Sequence, residues 1–195
     1  MKLIKEVLLG LALALLVCAS ASAAGPQSAP RVEMKTSLGT IVVELNPAKA
    51  PKTVENFLRY VKSGFYNGTI FHRVMPGFMI QGGGFEPGMK EKPTRDPIPN
   101  EGKNGLRNMA GTIAMARRGD PDSATAQFFI NHVDNPMLDY PNPDGAGYAV
   151  FGQVVRGMDI VQKIAQVRTG NAGMFENVPL THVVIESVKL LPDSK

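Results

Sequence analysis

Phe71-His72-Arg73-Val74-Met75-Pro76-Gly77-Phe78-Met79-Ile80-Gln81-Gly82-Gly83 is an apolar run, rich in aromatic and methionine side chains, that carries one arginine and one glutamine. Asn67-Gly68 before it supports a tight turn, and β-forming residues then extend from Thr69 to Gln81. Side chains alternate along a strand, so Arg73 is expected on the face opposite His72. Gln81 shares the parity of Met79 and Arg73, although the Pro76-Gly77 turn interrupts the count. On composition alone the bland reading has the better claim, with Phe71, Phe78 and Ile80 in a core and Arg73 solvated.

Working outward, Arg31 to Leu45 alternates apolar and polar residues on both sides of Ser37-Leu38-Gly39, the pattern of a β-hairpin with one buried face. Pro51 suits a helix start because its missing N–H is not needed in the first turn. Val54, Phe57, Leu58 and Val61 then fall on one face, and Gly64 is a fitting stop. Residues 82–108, crowded with Gly, Pro and charge, read as a long loop that is either functional or mobile. Thr112–Ala116 and Gln127–Asn131 are expected as buried strands, Pro136–Leu138 as a helical turn, and Tyr148–Val155 as a strand broken at Gly152. A second amphipathic helix is expected over Asp159–Val167, followed by a last strand, Val183–Leu191, whose alternation shifts near Ser187 as at a bulge. Many short strands with two helices and no repeated strand-helix-strand order point to an antiparallel barrel or sandwich.

The chain has 195 residues, 44% hydrophobic and 19% charged, which fits one globular domain and excludes wholesale disorder, collagen and coiled coil. Its net charge of +4 is a mild bias and leaves nucleic-acid binding without an electrostatic footprint. Lys2 and Lys5, the apolar run Val7–Val17 and the small residues Ala19–Ala24 form the pattern of a secretory signal over residues 1–23, cleaved after Ala23 and too short to span a bilayer comfortably. Residues 24–30 are then a flexible tether, 31–192 the domain and 193–195 a tail. The single cysteine, Cys18, lies in the signal, so the mature chain is expected without thiols and without a membrane anchor, in a periplasm or similar space.

The familiar chemistries find little support. His72, His132 and His182 form no ligand-spaced pair for zinc, and Pro87 stands where a dinucleotide fingerprint needs its last glycine. Placing Gly145 at the turn of a calcium loop puts Tyr140 and Phe151 where carboxylates belong. No Gly-x-Ser-x-Gly elbow occurs. The residues therefore ask for no cofactor, metal or nucleotide.

Four blocks, in order, give a sharper reading: Phe71–Gly83, Gly111-Thr112-Ile113-Ala114-Met115-Ala116-Arg117, Ala126-Gln127-Phe128-Phe129-Ile130-Asn131, and Tyr148-Ala149-Val150-Phe151-Gly152. Together they resemble the cyclophilin family of peptidyl-prolyl cis-trans isomerases, and the resemblance runs from about Arg31 to Pro192. It implies a mainly β fold, a closed eight-stranded antiparallel barrel capped by two α-helices. It also implies an isomerase of X-Pro bonds in unfolded or extended polypeptides, monomeric, with the export signal pointing to a bacterial periplasmic member.

By that resemblance Arg73 and Gln81 are the catalytic residues. Phe78, Met79, Phe129 and Leu138 line a proline pocket, Gln127 bonds the peptide or orients Arg73, and the backbone at Ala116 and Arg117 registers the bound chain. His72 is structural. Met137 and Tyr148 are also expected to touch the bound peptide, and both depart from the family's common pattern. Met137 stands where many members carry tryptophan, which implies weak cyclosporin binding with catalysis retained. Tyr148 replaces a common histidine and can still offer apolar surface and a hydroxyl. A chaperone-like holder of proline-containing segments with little turnover is the rival, and carriage of a lipid or sugar inside the barrel is a third class.

Overall fold

The computed structural model describes residues 29–192; the expected signal peptide, most of the tether and the tail 193–195 lie outside the described residues. Arg31–Thr36 (β1) and Gly39–Leu45 (β2) form the expected hairpin, with Val32 facing Val43 and Met34 facing Ile41 across it. Pro51–Lys62 (α1) follows. Its first turn has no side-chain cap of its own. The Glu101 carboxylate instead accepts from the Lys52 and Thr53 backbone N–H groups and from the Thr53 hydroxyl, so a loop residue far along the chain satisfies the helix's orphan donors.

Thr69–Met75 (β3) and Met79–Gly82 (β4) pair around the Pro76-Gly77 turn. Phe85–Glu86 (β5) and Lys90–Glu91 (β6) make a small hairpin, and Thr112–Met115 (β7), Phe128–Asn131 (β8) and Val150–Arg156 (β9) complete the middle of the chain. Met158–Ala165 (α2), a second small pair Thr169–Ala172 (β10) and Phe175–Pro179 (β11), and Val184–Leu190 (β12) close it. Eight of these strands form a closed barrel in the order β1-β12-β3-β4-β8-β7-β9-β2, every neighbouring pair antiparallel.

Phe57 from α1 packs on Tyr66, Phe128 and Phe151 with ring centroids 5.2, 5.8 and 5.2 Å away, while Val161, Ile164 and Ala165 bring α2 into the same core. With Ile80, Ile113 and Ile130 also turned inward, aromatic and branched side chains fill the barrel, which leaves a lipid or sugar no room inside it.

Several local expectations need adjustment. β9 runs through Gly152 without a break and begins at Val150 rather than Tyr148. A Cβ at Gly152 would lie 2.5 Å from the Glu44 carbonyl oxygen, so the glycine permits close approach of β2 instead of ending the strand. The β10–β11 pair escapes the sequence pattern because Thr169-Gly170-Asn171-Ala172 has no apolar alternation. The late bulge is present: Lys35 faces Ser187 and Thr36 faces Ile185, leaving Glu186 unpaired. The long loop is pinned by Lys92 donating to the Phe65 carbonyl, the Arg95 N–H donating to the Tyr60 hydroxyl and a bridge from Ile98 to Ala124. None of the helices among the described residues is long and apolar enough to cross a membrane.

Candidate active site

The register across four strands builds the site. Arg73 of β3 faces Gln81 of β4, Gln81 faces Phe129 of β8, and Phe129 faces Ala114 of β7, so the four residues form one transverse row. Their chain neighbours Val74, Ile80, Ile130 and Ile113 point into the core, which puts the row on the outer surface of the barrel. β3 reaches this register through a bulge: Phe71 faces Gly82 and Arg73 faces Gln81, so His72 is the extra residue. Simple alternation therefore fails at this point, and both Phe71 and Val74 belong to the core.

Beside the row lies a cavity of about 100 Å³, far smaller than a drug-sized site and suited to one small ring. Phe78, Met79, Phe129 and Leu138 supply its apolar walls, Arg73 and Gln81 one rim, and Ala116, Arg117 and Tyr148 the other. An Arg73 Nη1 donates to Gln81 Oε1 at 3.4 Å, and Gln81 Nε2 donates to Gln127 Oε1 at 3.0 Å. Gln127 lies so close to Gly84 that a Cβ there would come within 2.5 Å of Gln127 Cγ; a bare backbone is needed to seat the relay. Among the described residues Arg73 has no carboxylate partner, and it is only partly buried, so its charge is directed at the cavity rim. A second, wider cavity of about 480 Å³ shares Gln81, Ala116 and Arg117 with the first and continues past Gln127 towards Arg95 and Arg118.

His72 sits apart from this lining. Its buried ring packs 4.6 Å from Phe85, and burial, with the adjacent Arg73 charge, lowers its pKa to about 4. The imidazole is thus neutral at neutral pH.

The model of the family described as cyclophilin type peptidyl-prolyl cis-trans isomerase/CLD matches residues 31–190, almost the whole described domain. The chain belongs to this family. Peptidyl-prolyl cis-trans isomerase A of Dickeya dadantii is 51% identical over 96% of this chain and 98% of its own length. Peptidyl-prolyl cis-trans isomerase B of Escherichia coli is 58% identical over 80% and 97%. Among solved structures, a cyclophilin type isomerase of Cryptosporidium parvum, crystallised in the presence of the dipeptide Ala-Pro, aligns with a TM-score of 0.72 at 25% identity, over 84% of this chain and 99% of that one. The chain is accordingly a cyclophilin-type peptidyl-prolyl cis-trans isomerase.

The cyclophilin fold brings nearly all the expected site residues together. Met137 is the exception: it is 54% exposed and absent from the lining, because the turn at Pro136–Leu138 directs Leu138 inward and Met137 to solvent. Phe78 also departs from the bland reading, lining the pocket where Phe71 and Ile80 are core.

Three residues that carried no signal in the sequence support the pocket from behind. Buried Asn131 donates to Asn108 Oδ1 and Thr112 Oγ1, and buried Asn135 donates to Asn131 Oδ1 and to the Phe78 carbonyl at 3.0 Å. The Asn135 carbonyl in turn accepts the Leu138 N–H, and the Asp139 carboxylate accepts from Asn108. Asn135 thus bonds the backbone of two walls of the pocket, Phe78 and Leu138, and the Phe78 carbonyl also accepts the His132 N–H at 2.9 Å. The available clue is that three asparagines flank apolar runs, a pattern shared with ordinary turns.

Proposed function

We propose that this isomerase acts on X-Pro bonds of unfolded or extended exported polypeptides and assists their folding in the periplasm, with Arg73 as the catalytic donor. Amide resonance holds the bond planar by about 18 to 20 kcal/mol. A donor that bonds the prolyl nitrogen as its lone pair leaves conjugation favours the twisted amide over both planar isomers. The observation that carries this reading is the Arg73 guanidinium at the rim of a ring-sized apolar cavity, oriented by Gln81 and with no carboxylate partner among the described residues. In this mechanism the cavity holds the proline ring still while the preceding carbonyl swings. Gln81 and Gln127 orient the arginine and bond the peptide.

A charged hydrogen bond of about 1.5 to 3 kcal/mol is worth roughly 10- to 150-fold in rate, so desolvation and fixed geometry supply the rest. That the Cryptosporidium parvum isomerase was crystallised in the presence of Ala-Pro supports proline-containing peptides as ligands. Export rests on the basic, apolar and small-residue pattern of residues 1–23. With Met137 in place of the family's common tryptophan, the same reading extends to weak cyclosporin binding, and it takes a monomer as the working unit.

A protease-coupled proline-peptide assay tests the proposal on protein purified from a periplasmic extract, whose first residue is expected to be Ala24. Arg73→Ala should lower kcat by roughly 10- to 150-fold, with nanomolar cyclosporin failing to inhibit the wild type. Equal activity of the two proteins defeats the arginine mechanism. Peptide binding without turnover by either leaves the holder function.

A further inference from the structure

Arg117 stands where the two cavities meet, yet only 3% of its side chain is exposed. Each guanidinium nitrogen is committed: Nε and Nη2 donate to the Gly147 carbonyl, Nη1 to the Arg118 carbonyl, and Nη2 also to Asp144 at 2.8 Å. The group lies over the Tyr148 ring, its central carbon 4.4 Å from the centroid, and Tyr148 meets Phe129 edge-on at 5.7 Å. A buried guanidinium so occupied has little left to offer a peptide. Its planar face and fork do something a lysine could not, stacking on a ring while bonding a loop at its edge.

We propose that Arg117 is a positioning residue: anchored to Asp144 and Gly147, it holds the Tyr148 ring against Phe129 and thereby sets the affinity of the pocket for the proline ring. The proposal rests on the reading of that pocket as the proline site. The Tyr148 backbone is already tied to the pocket, because its N–H donates to the Leu138 carbonyl. What Arg117 adds is the orientation of the ring. The Asp144 carboxyl, held below the usual carboxylate range by its hydrogen bond to Arg117, remains ionised and keeps the anchor closed near neutrality.

Because the wall contacts the ring in ground state and transition state alike, its loss belongs in KM, whereas loss of Arg73 belongs in kcat. Arg117→Ala and Tyr148→Leu are each expected to raise KM by roughly 3- to 30-fold, the worth of a cation stacked on an aromatic ring, with kcat within about twofold. The double variant should be no worse than the poorer single one, since both changes remove the same contact. Asp144→Asn should raise KM slightly in the wild-type background and leave it unchanged beside Arg117→Ala. Losses that multiply in the double variant, or that fall on kcat, overturn the proposal. Should Arg117→Ala fail to fold, the cycle of Asp144→Asn and Tyr148→Leu reads the same coupling. Since the catalytic reading stands or falls on kcat in Arg73→Ala, failure of one is separable from failure of the other.

Discussion

Phe128 and Phe129 are neighbours in β8 and belong to different parts of the molecule. Phe128 points into the barrel, where its ring meets Phe57, Tyr66 and Phe71 edge-on at 5.8, 5.5 and 6.2 Å. Phe129 points out, joins Met79, Ala114, Leu138 and Val150 in a second, smaller cluster, and leaves one side open to a cavity. The pleat of a single strand thus divides the same residue type between stability and binding. The inner cluster is buried throughout; the outer one is braced by asparagines and an arginine because its apolar contacts alone cannot hold an open wall in place.

The sharpest way to break this division is to truncate each ring. Phe128→Ala should cost about 3 to 5 kcal/mol of stability through the cavity it leaves among three aromatic neighbours. Phe129→Ala, already bordering solvent, should cost less than half of that while raising KM for proline peptides. Denaturant unfolding and steady-state kinetics on both variants make the comparison, and equal stability losses would dissolve the distinction between the two clusters.

His72 tests the border between the regions, since it follows core residue Phe71 and precedes Arg73 of the site. Its folded-state pKa of about 4 lies below the ordinary value of 6.5, so between those values the unfolded chain binds the proton more readily. The contribution to stability is therefore complete above pH 6.5 and is lost as the pH falls towards 4, by about 3 kcal/mol. Chemical unfolding at pH 7 and pH 5 should show about 2 kcal/mol of this decline in the wild type and less in His72→Leu. Identical declines would mean that the imidazole is as well solvated in the fold as outside it.

The same contrast explains what could be read in advance. The hairpin of β1 and β2 and the face of α1 were legible because burial on one side imposes a period on the residues. The resemblance supplied barrel closure, which no local pattern contains: β12 lies between β1 and β3 because the first and last strands of the domain pair. Arg73, Gln81 and Phe129 could be named from their blocks, but their common row needed the bulge at His72 to bring it into register. Glu101 on the start of α1 and the asparagines behind Phe78 act through single polar contacts between distant segments, and such contacts leave no periodicity. Met137, named from the family's tryptophan position, lies outside the lining because the tight turn that seats Leu138 directs it to solvent.

The smallest expected effect probes that bracing. Asn135→Ala removes the donor to the Phe78 carbonyl and leaves Asn131 Oδ1 buried without its partner, while the Asn135 backbone still accepts from Leu138. The Phe78 carbonyl keeps the His132 N–H, so one buried acceptor is left unpaired at a cost of about 1 to 3 kcal/mol, which should appear as a lowered thermal midpoint. If the network acts only as scaffold, that loss will come with unchanged KM. The geometry argues otherwise, because Phe78, whose carbonyl keeps the His132 N–H but loses its second donor, is a wall of the pocket. KM should therefore rise together with the fall in midpoint, and kcat should hold because neither Arg73 nor Gln81 bonds to any of the three asparagines.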